Sequence, residues 1–237
     1  MNNTAPGFGA TDIDMAGFQP AGNSFDYPAV HGRALLDLGY SFCSMSRSAF
    51  EKAPAEPYFA LDVICGKQVS TLVGNARKGA KYQVFPAAFR KALSASASAG
   101  CNILISGAYI ATDAWDELYP IGDKAYQEEA QSFVRNKLGF RWETSRGSVN
   151  GKVSFNGSNY SFAHELNEDS YCVEMAGAIK AANSDGKTIA RYTNRTSAGV
   201  YAPFDDYKVV AWSFPLEILE SKDALKTIID KSLIYFK

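Results

Sequence analysis

The stretch Asn102–Asp116, Asn-Ile-Leu-Ile-Ser-Gly-Ala-Tyr-Ile-Ala-Thr-Asp-Ala-Trp-Asp, constrains the fold more than any other part of the chain. Its apolar run, Ile103-Leu104-Ile105, is too short for a helix and stops abruptly at Ser106-Gly107-Ala108-Tyr109. That is the pattern of a buried parallel strand breaking into a tight turn at the carboxyl edge of an α/β sheet. Open α/β sheets bind ligands at that edge, and many α/β enzymes mount a nucleophile on such a turn. Here the turn carries Ala108, a methyl group with nothing to attack with.

The surrounding pattern alternates strands and helices. Residues 1–25 are rich in Gly, Asn and Ala and read as an irregular lead-in. Asp26-Tyr27-Pro28 reads as a helix entry, and Val30, Ala34, Leu35 and Leu38 share a face that ends at Gly39. Tyr40–Met45 is predicted as a strand, Arg47–Lys52 as a short helix, and Phe59–Cys65 as a second strand. A Gly- and Lys-rich connection, Val69–Gln83, leads to a helix over Pro86–Ala99 that stops at Gly100. A further amphipathic helix is predicted over Asp123–Leu138, with Gly139 as its stop. Right-handed βαβ crossovers and a mostly parallel sheet flanked by helices follow from this alternation.

After residue 139 the pattern changes. Phe140–Arg146, Lys152–Phe155, Tyr160–His164, Thr188–Tyr192, Ala198–Tyr201 and Lys208–Ser213 read as short strands between Asn-Gly and Gly-Ser turns. Residues 140–213 thus form a β-rich extension, antiparallel along one edge of the sheet, before a closing helix over Lys222–Phe236. No linker divides the chain, so residues 1–237 read as one α/β domain. Doubly wound folds usually open with a buried strand, and residues 1–25 contain no such run. Either the sheet starts at Tyr40 or an upstream strand belongs to a longer parent chain, and the second reading is preferred.

Composition excludes several functions. A net charge of −1 gives no pull toward nucleic acid. No apolar run approaches the ~20 residues that span a bilayer, and the polar start Met1-Asn2-Asn3-Thr4 is no signal peptide. Cys43, Cys65, Cys101 and Cys172 lie far apart and only two histidines exist, so no metal site is expected. Cys43 and Cys65 fall in apolar runs and read as small buried hydrophobes, in preference to a disulfide or reactive thiol. Neither a phosphate loop nor a GxGxxG fingerprint is present, so no cofactor is expected; a flavin held by irregular loops is the alternative.

The chain resembles the class I glutamine amidotransferase-like, flavodoxin-like domain of Bacteroidetes surface or periplasmic proteins labelled xanthan lyase. Four segments carry the resemblance: Gly22–Gly32, Ile105–Asp113, Glu165–Tyr171 and Ser213–Glu217. The family domain begins with a strand upstream of the position of Met1. The resemblance implies a location in the periplasm or on the cell surface, with other domains of a longer parent chain as neighbours. Catalytic members of the wider superfamily use a cysteine on the elbow and a histidine in a His-Pro-Glu-like turn. Here those positions hold Ala108 and Phe214, the latter within Phe214-Pro215-Leu216-Glu217. Cys101 starts the strand and so lies at its opposite end. The amidotransferase triad is absent.

Candidate ligand-binding residues gather on the expected carboxyl edge. Asp26, Tyr27 and His31 could converge there with Tyr109 and Asp113; a capping acid, a packed tyrosine and a hydrogen-bonded helix histidine are the plainer reading. Asp113, Trp115 and Asp116 offer two acids beside an aromatic ring, suited to stacking on a sugar or to acid–base chemistry, or else to solvation and capping. Lys67, with Gln68, could orient an anion. His164-Glu165 and Glu168-Asp169 read as a solvated acidic loop rather than a calcium contact. The leading expectation is a non-catalytic domain of an exported protein, in carbohydrate or cell-envelope recognition or structural support. A polysaccharide lyase or hydrolase using His31, Tyr109, Asp113 and Asp116, with Lys67 neutralising a uronate, and an assembly module pairing through an exposed edge are the competitors.

Overall fold

A computed structural model describes residues 27–68, 71–72, 80–116 and 124–237. Asp26 and the remaining lead-in lie outside the described residues. Helix α1 (Tyr27–Asp37) and the short α2 (Arg47–Phe50) precede strand β1 (Ala60–Ile64). Then come β2 (Thr71–Leu72), β3 (Ala80–Tyr82), α3 (Ala87–Ser98), β4 (Asn102–Ser106), the one-turn α4 (Thr112–Trp115) and α5 (Lys124–Phe133). The β-rich half supplies β5 (Phe140–Ser148), β6 (Lys152–Phe155), β7 (Ser158–Ser161), β8 (Ala176–Ala181), β9 (Lys187–Tyr192), β10 (Ser197–Pro203) and β11 (Lys208–Trp212). A 3-10 turn at Leu216–Ile218 and helix α6 (Lys222–Ile234) close the chain.

Among the described residues the main sheet has seven strands, in the order β1-β4-β11-β10-β9-β6-β7. Of these strands β1, β4 and β11 run parallel, and β10, β9, β6 and β7 continue the sheet antiparallel. The expectation of a mostly parallel sheet is therefore corrected to a mixed one. The antiparallel extension is real, but it forms more of the sheet than the parallel part. The reason lies in the connections: short turns join β6 to β7 and β9 to β10, and a short turn can only reverse a strand. β5 and β8 form a separate antiparallel pair.

Burial follows this division. Leu61–Ile64 and Ile103–Ser106 are buried throughout, as strands covered on both faces must be. On one face Ile64, Leu104, Val210 and Trp212 pack against α6 through Leu225, Ile228, Ile229 and Leu233. On the other, Leu61, Val63, Ile103, Ile105 and Ala211 meet Phe89 and Leu93 of α3 and Phe133 of α5. β6 instead alternates, with Val153 and Phe155 inside and Lys152 and Ser154 outside. Trp212 Nε1 donates to Ser232 Oγ at 3.1 Å and locks α6 onto β11.

Three local expectations change. Tyr40–Met45 is extended but belongs to no strand, because none of the described strands lies beside it to pair with. In α1 the buried positions are Tyr27, His31, Gly32 and Ala34, while Val30 faces solvent. Cys43 is exposed, in a segment that pairs with none of the described strands; Cys65, Cys101 and Cys172 are buried, and none of the four is in a disulfide. Helix α5 continues as a π-helical turn, Val134–Leu138, and ends at Gly139 with φ 71°.

Gly139 is held to glycine twice over, since an added Cβ would also collide with the Cβ of Ala202. Gly157 has φ 76° with open space around it. Gly157→Ala should cost only the left-handed backbone penalty, about 1–2 kcal/mol. Gly139→Ala should cost a further ~1–3 kcal/mol from overpacking. Urea unfolding midpoints of the two variants check the difference; equal losses would contradict the packing at Gly139.

Candidate functional site

The carboxyl ends of β1, β4 and β11 meet where the sequence places its elbow. Ala108 N–H donates to Gly66 O at 2.8 Å, Gly107 N–H to Trp212 O at 3.1 Å, and Gly177 N–H to Ala108 O at 2.9 Å. Gly107 leaves no room for a side chain: an added Cβ would lie 2.7 Å from Cys65 Cβ and 2.9 Å from Ile110 Cγ2. Ala108 itself is fully buried, under Gly177 of β8. Phe214 is equally buried and stacks on Phe162 with ring centroids 5.0 Å apart. The elbow is thus a packed junction.

Beneath it runs a line of buried charges. Tyr27 and His31 are four residues apart on α1 and so share the face turned to the sheet. His31 Nδ1 lies 2.7 Å from Asp62 Oδ2 on β1, and Nε2 lies 3.5 Å from Glu217 Oε2 in the turn after β11. Their side chains are 2%, 10% and 1% exposed, which seals the trio from solvent. Tyr171 O–H donates to Glu217 Oε1 at 2.7 Å, and its ring lies 5.2 Å from that of Tyr27. Gly66 stands opposite: a Cβ there would approach Tyr171 Oη at 3.4 Å and Glu217 Oε1 at 3.6 Å.

The electrostatics are those of a paired buried cation. Burial alone would lower the pKa of His31, but the Asp62 and Glu217 carboxylates outweigh it and hold it up at about 10. Burial likewise pushes Asp62 upward, and the imidazolium reverses this and leaves it below the usual carboxylate range. Tyr27 and Tyr171 are both pushed up, by burial first and then by Glu217. A histidine that stays protonated and holds an acid on each side is not poised to take a proton at neutral pH.

The remaining candidates lie in separate arrangements. Asp113 is fully buried and accepts from Val84 N–H at 3.0 Å and from Tyr126 O–H at 2.6 Å. It ties the chain before α3 to α5. Asp116 accepts from Ser145 Oγ, which in turn accepts from Trp142 Nε1 at 3.3 Å. Trp115 is half-buried, and the Arg135 guanidinium lies over its ring at 5.3 Å. Tyr109 packs, half-buried, against the core on the α6 side. Lys67 is buried with Nζ 3.3 Å from Glu174 Oε2, and Gln68 Nε2 donates to Gln83 O at 2.7 Å. Glu165 and Glu168–Asp169 are exposed, in keeping with a solvated loop, and His164 Nε2 lies 3.5 Å from Glu165 Oε1.

The structure brings Tyr27 and His31 together and joins them to Asp62, Tyr171 and Glu217. Asp113 and Asp116 keep other partners. Asp62 carried a readable signal, a carboxylate inside the apolar run Phe59–Ile64, where a buried acid needs a partner. Among the described residues, no group of three or more His, Cys, Asp or Glu side chains is arranged to hold a metal ion.

Comparison with known proteins gives a fold and no family. No protein-family profile and no curated protein sequence matches the chain. An exo-β-1,4-mannosidase from Opitutaceae bacterium strain TAV5 matches in structure, with a TM-score of 0.50 and 10% identity. The match covers 88% of this chain and 29% of the mannosidase, so this chain spans less than a third of that protein's length. The fold is a mixed α/β domain that also occurs as part of a glycoside-cleaving polypeptide.

The raised pKa of His31 fixes the sign of a pH effect. Its contribution to stability is fully present below the unfolded value near 6.5 and is lost as pH rises toward about 10. Wild-type stability, followed by urea unfolding, should therefore decline from pH 6.5 upward, and Asp62→Asn should flatten that decline. His31→Ala leaves two buried carboxylates without their cation and should cost about 3–5 kcal/mol. An alkaline decline of the same slope in wild type and Asp62→Asn would contradict the assignment.

Proposed function

We propose that this chain is a non-catalytic α/β domain of an exported, carbohydrate-directed protein, acting in glycan or cell-envelope recognition or as structural support for neighbouring domains. One observation carries the reading. At the junction where related folds place nucleophile and base, Ala108 and Phe214 are fully buried, and His31 is closed between two acids. The likeness to part of a mannosidase supports the carbohydrate context. The sequence resemblance to the amidotransferase-like, flavodoxin-like domain of proteins labelled xanthan lyase supports a place in the periplasm or at the cell surface. No helix among the described residues is long and apolar enough to cross a membrane.

A catalytic reading has one observation in its favour, that the structural match is to a glycosidase. Its acids are occupied: Asp113 by Val84 and Tyr126, Asp116 by Ser145. Recognition through Trp115 would require a sugar to displace or stack beside Arg135, which already covers the ring.

The test is binding and turnover against neutral mannan oligosaccharides, xanthan oligosaccharides and peptidoglycan fragments. The expected outcome is no turnover, and binding, where found, weakened at least about tenfold by Trp115→Ala, the cost of losing one stacking platform. Turnover abolished by Tyr109→Phe would overturn the non-catalytic reading. A second check uses Ala108→Cys: a thiol placed in this sealed elbow, with no free base beside it, should remain slow toward iodoacetamide and should not hydrolyse glutamine.

A further inference from the structure

The chain holds two Asn-Gly pairs, Asn150-Gly151 and Asn156-Gly157, and the fold treats them differently. In such a pair the main chain can attack the asparagine side chain, because glycine places no Cβ beside the attacking nitrogen. The carboxamide carbon must swing onto the backbone nitrogen of the glycine. Folding decides how freely each pair makes that swing.

Asn156 and Gly157 are the two central residues of the hairpin turn between β6 and β7, which Phe155 and Ser158 close. Their φ angles, 48° and 76°, make it a type I′ turn. Asn156, Gly157 and Ser158 are exposed, and a Cβ on Gly157 would meet open space. Among the described residues, no hydrogen bond holds the Asn156 carboxamide, and Gly157 N–H donates to no backbone carbonyl. β7 has four residues and stands last in the order of the described strands. The tip of so short a hairpin opens locally at little cost, and its opening displaces no packed group.

Asn150 serves as an internal control. Its Oδ1 accepts from Lys152 N–H at 3.2 Å, and its Nδ2 donates to Thr193 Oγ1 at 3.1 Å. Gly151 is buried, and its carbonyl accepts from Phe162 N–H at 2.8 Å. A Cβ there would collide with Phe162 O and lie 2.9 Å from His164 Nδ1. Reaction at Asn150 has to break both side-chain hydrogen bonds and move packed main chain.

We propose that Asn156 is a modification site, at which the folded chain spontaneously loses ammonia and then takes up water. Gly157 N bonds to Asn156 Cγ, the Cγ–Nδ2 bond breaks, and the Gly157 amide proton leaves with the side-chain nitrogen as ammonia. Water then opens the cyclic imide at either carbonyl, with no change in oxidation state. Breaking the N–Cγ bond gives aspartate with the ordinary backbone. Breaking the bond from Gly157 N to the Asn156 main-chain carbonyl gives isoaspartate, which routes the chain through the side chain and lengthens it by one carbon. Turn geometry and loop length fix the register of a hairpin, so the isoaspartyl product loosens β7 from β6 while the aspartyl product leaves the pairing in place.

Peptide mass mapping of the full wild-type chain, aged in mildly alkaline buffer, tests this, with methyl transfer by an isoaspartyl methyltransferase to separate the two products. Asn156 should convert at least about tenfold faster than Asn150, whose hydrogen bonds must first be broken. In urea, where neither pair is held, the two should convert at similar rates. Equal rates in the folded chain, or faster conversion at Asn150, overturns the proposal. So does a folded chain in which Asn156 stays an amide while the same site converts in urea. In the isoaspartyl fraction the amides of Ser158 and Tyr160, paired in the ladder with Phe155 and Val153, should exchange roughly tenfold faster than in the unmodified chain. Unchanged exchange there contradicts the loosening of β7.

Discussion

The packing of α1 depends on one buried cation. His31 sits between Asp62 on β1 and Glu217 in the turn after β11, and so ties α1 both to that strand and to the turn that follows a strand not adjacent to it in the sheet. Removing these groups from water costs several kcal/mol per ion. The attraction between them, together with the hydrogen bond from Tyr171, offsets that cost only while all partners are present. Such an arrangement adds little net stability compared with a well-packed apolar core. Its consequence is specificity: α1 cannot rotate or slide by a residue without stranding a charge, and Tyr27 is thereby fixed against Tyr171.

The same constraint shapes the edge above it. Gly66, Gly107 and Gly177 bring three backbone segments close together, and Ala108 is the residue they enclose. The space that a nucleophile and its substrate would need is filled by main chain and by the Phe162–Phe214 stack. Neighbouring acids are spent on structure: Asp113 fastens the chain before α3 to α5, and Asp116 joins α4 to β5. Around Ala108 this edge is packed with main chain and aromatic rings, and the buried acids Asp62, Asp113 and Asp116 already hold partners.

Much of this fold was legible in the sequence because the relevant signals are local. The run at Ile103–Ile105, the periodicity of α3, α5 and α6, and the stops at Gly39, Gly100 and Gly139 each mark an element without reference to the rest of the chain. β8 was not legible, since Ala176-Gly177-Ala178 has neither alternation nor β-branched residues; it is a strand because small residues are needed beneath the elbow. Strand direction was also hidden, as it depends on which strands become neighbours. Tyr40–Met45 has the composition of a strand and, among the described residues, lacks the partner that would make it one. At the candidate site, His31 and Tyr27 could be picked out by type and spacing. Their partners could not, because Asp62 and Glu217 lie far along the chain and meet α1 only in the folded state.

The ionisation state of His31 tests this structural role most directly. The ¹⁵N shifts of its ring, followed from pH 5 to 10, should show both nitrogens protonated through neutrality, with loss of the proton only toward about pH 10. A ring that is neutral at pH 7, titrating near the ordinary value of about 6.5, would contradict the buried ion pair and return His31 to consideration as a base.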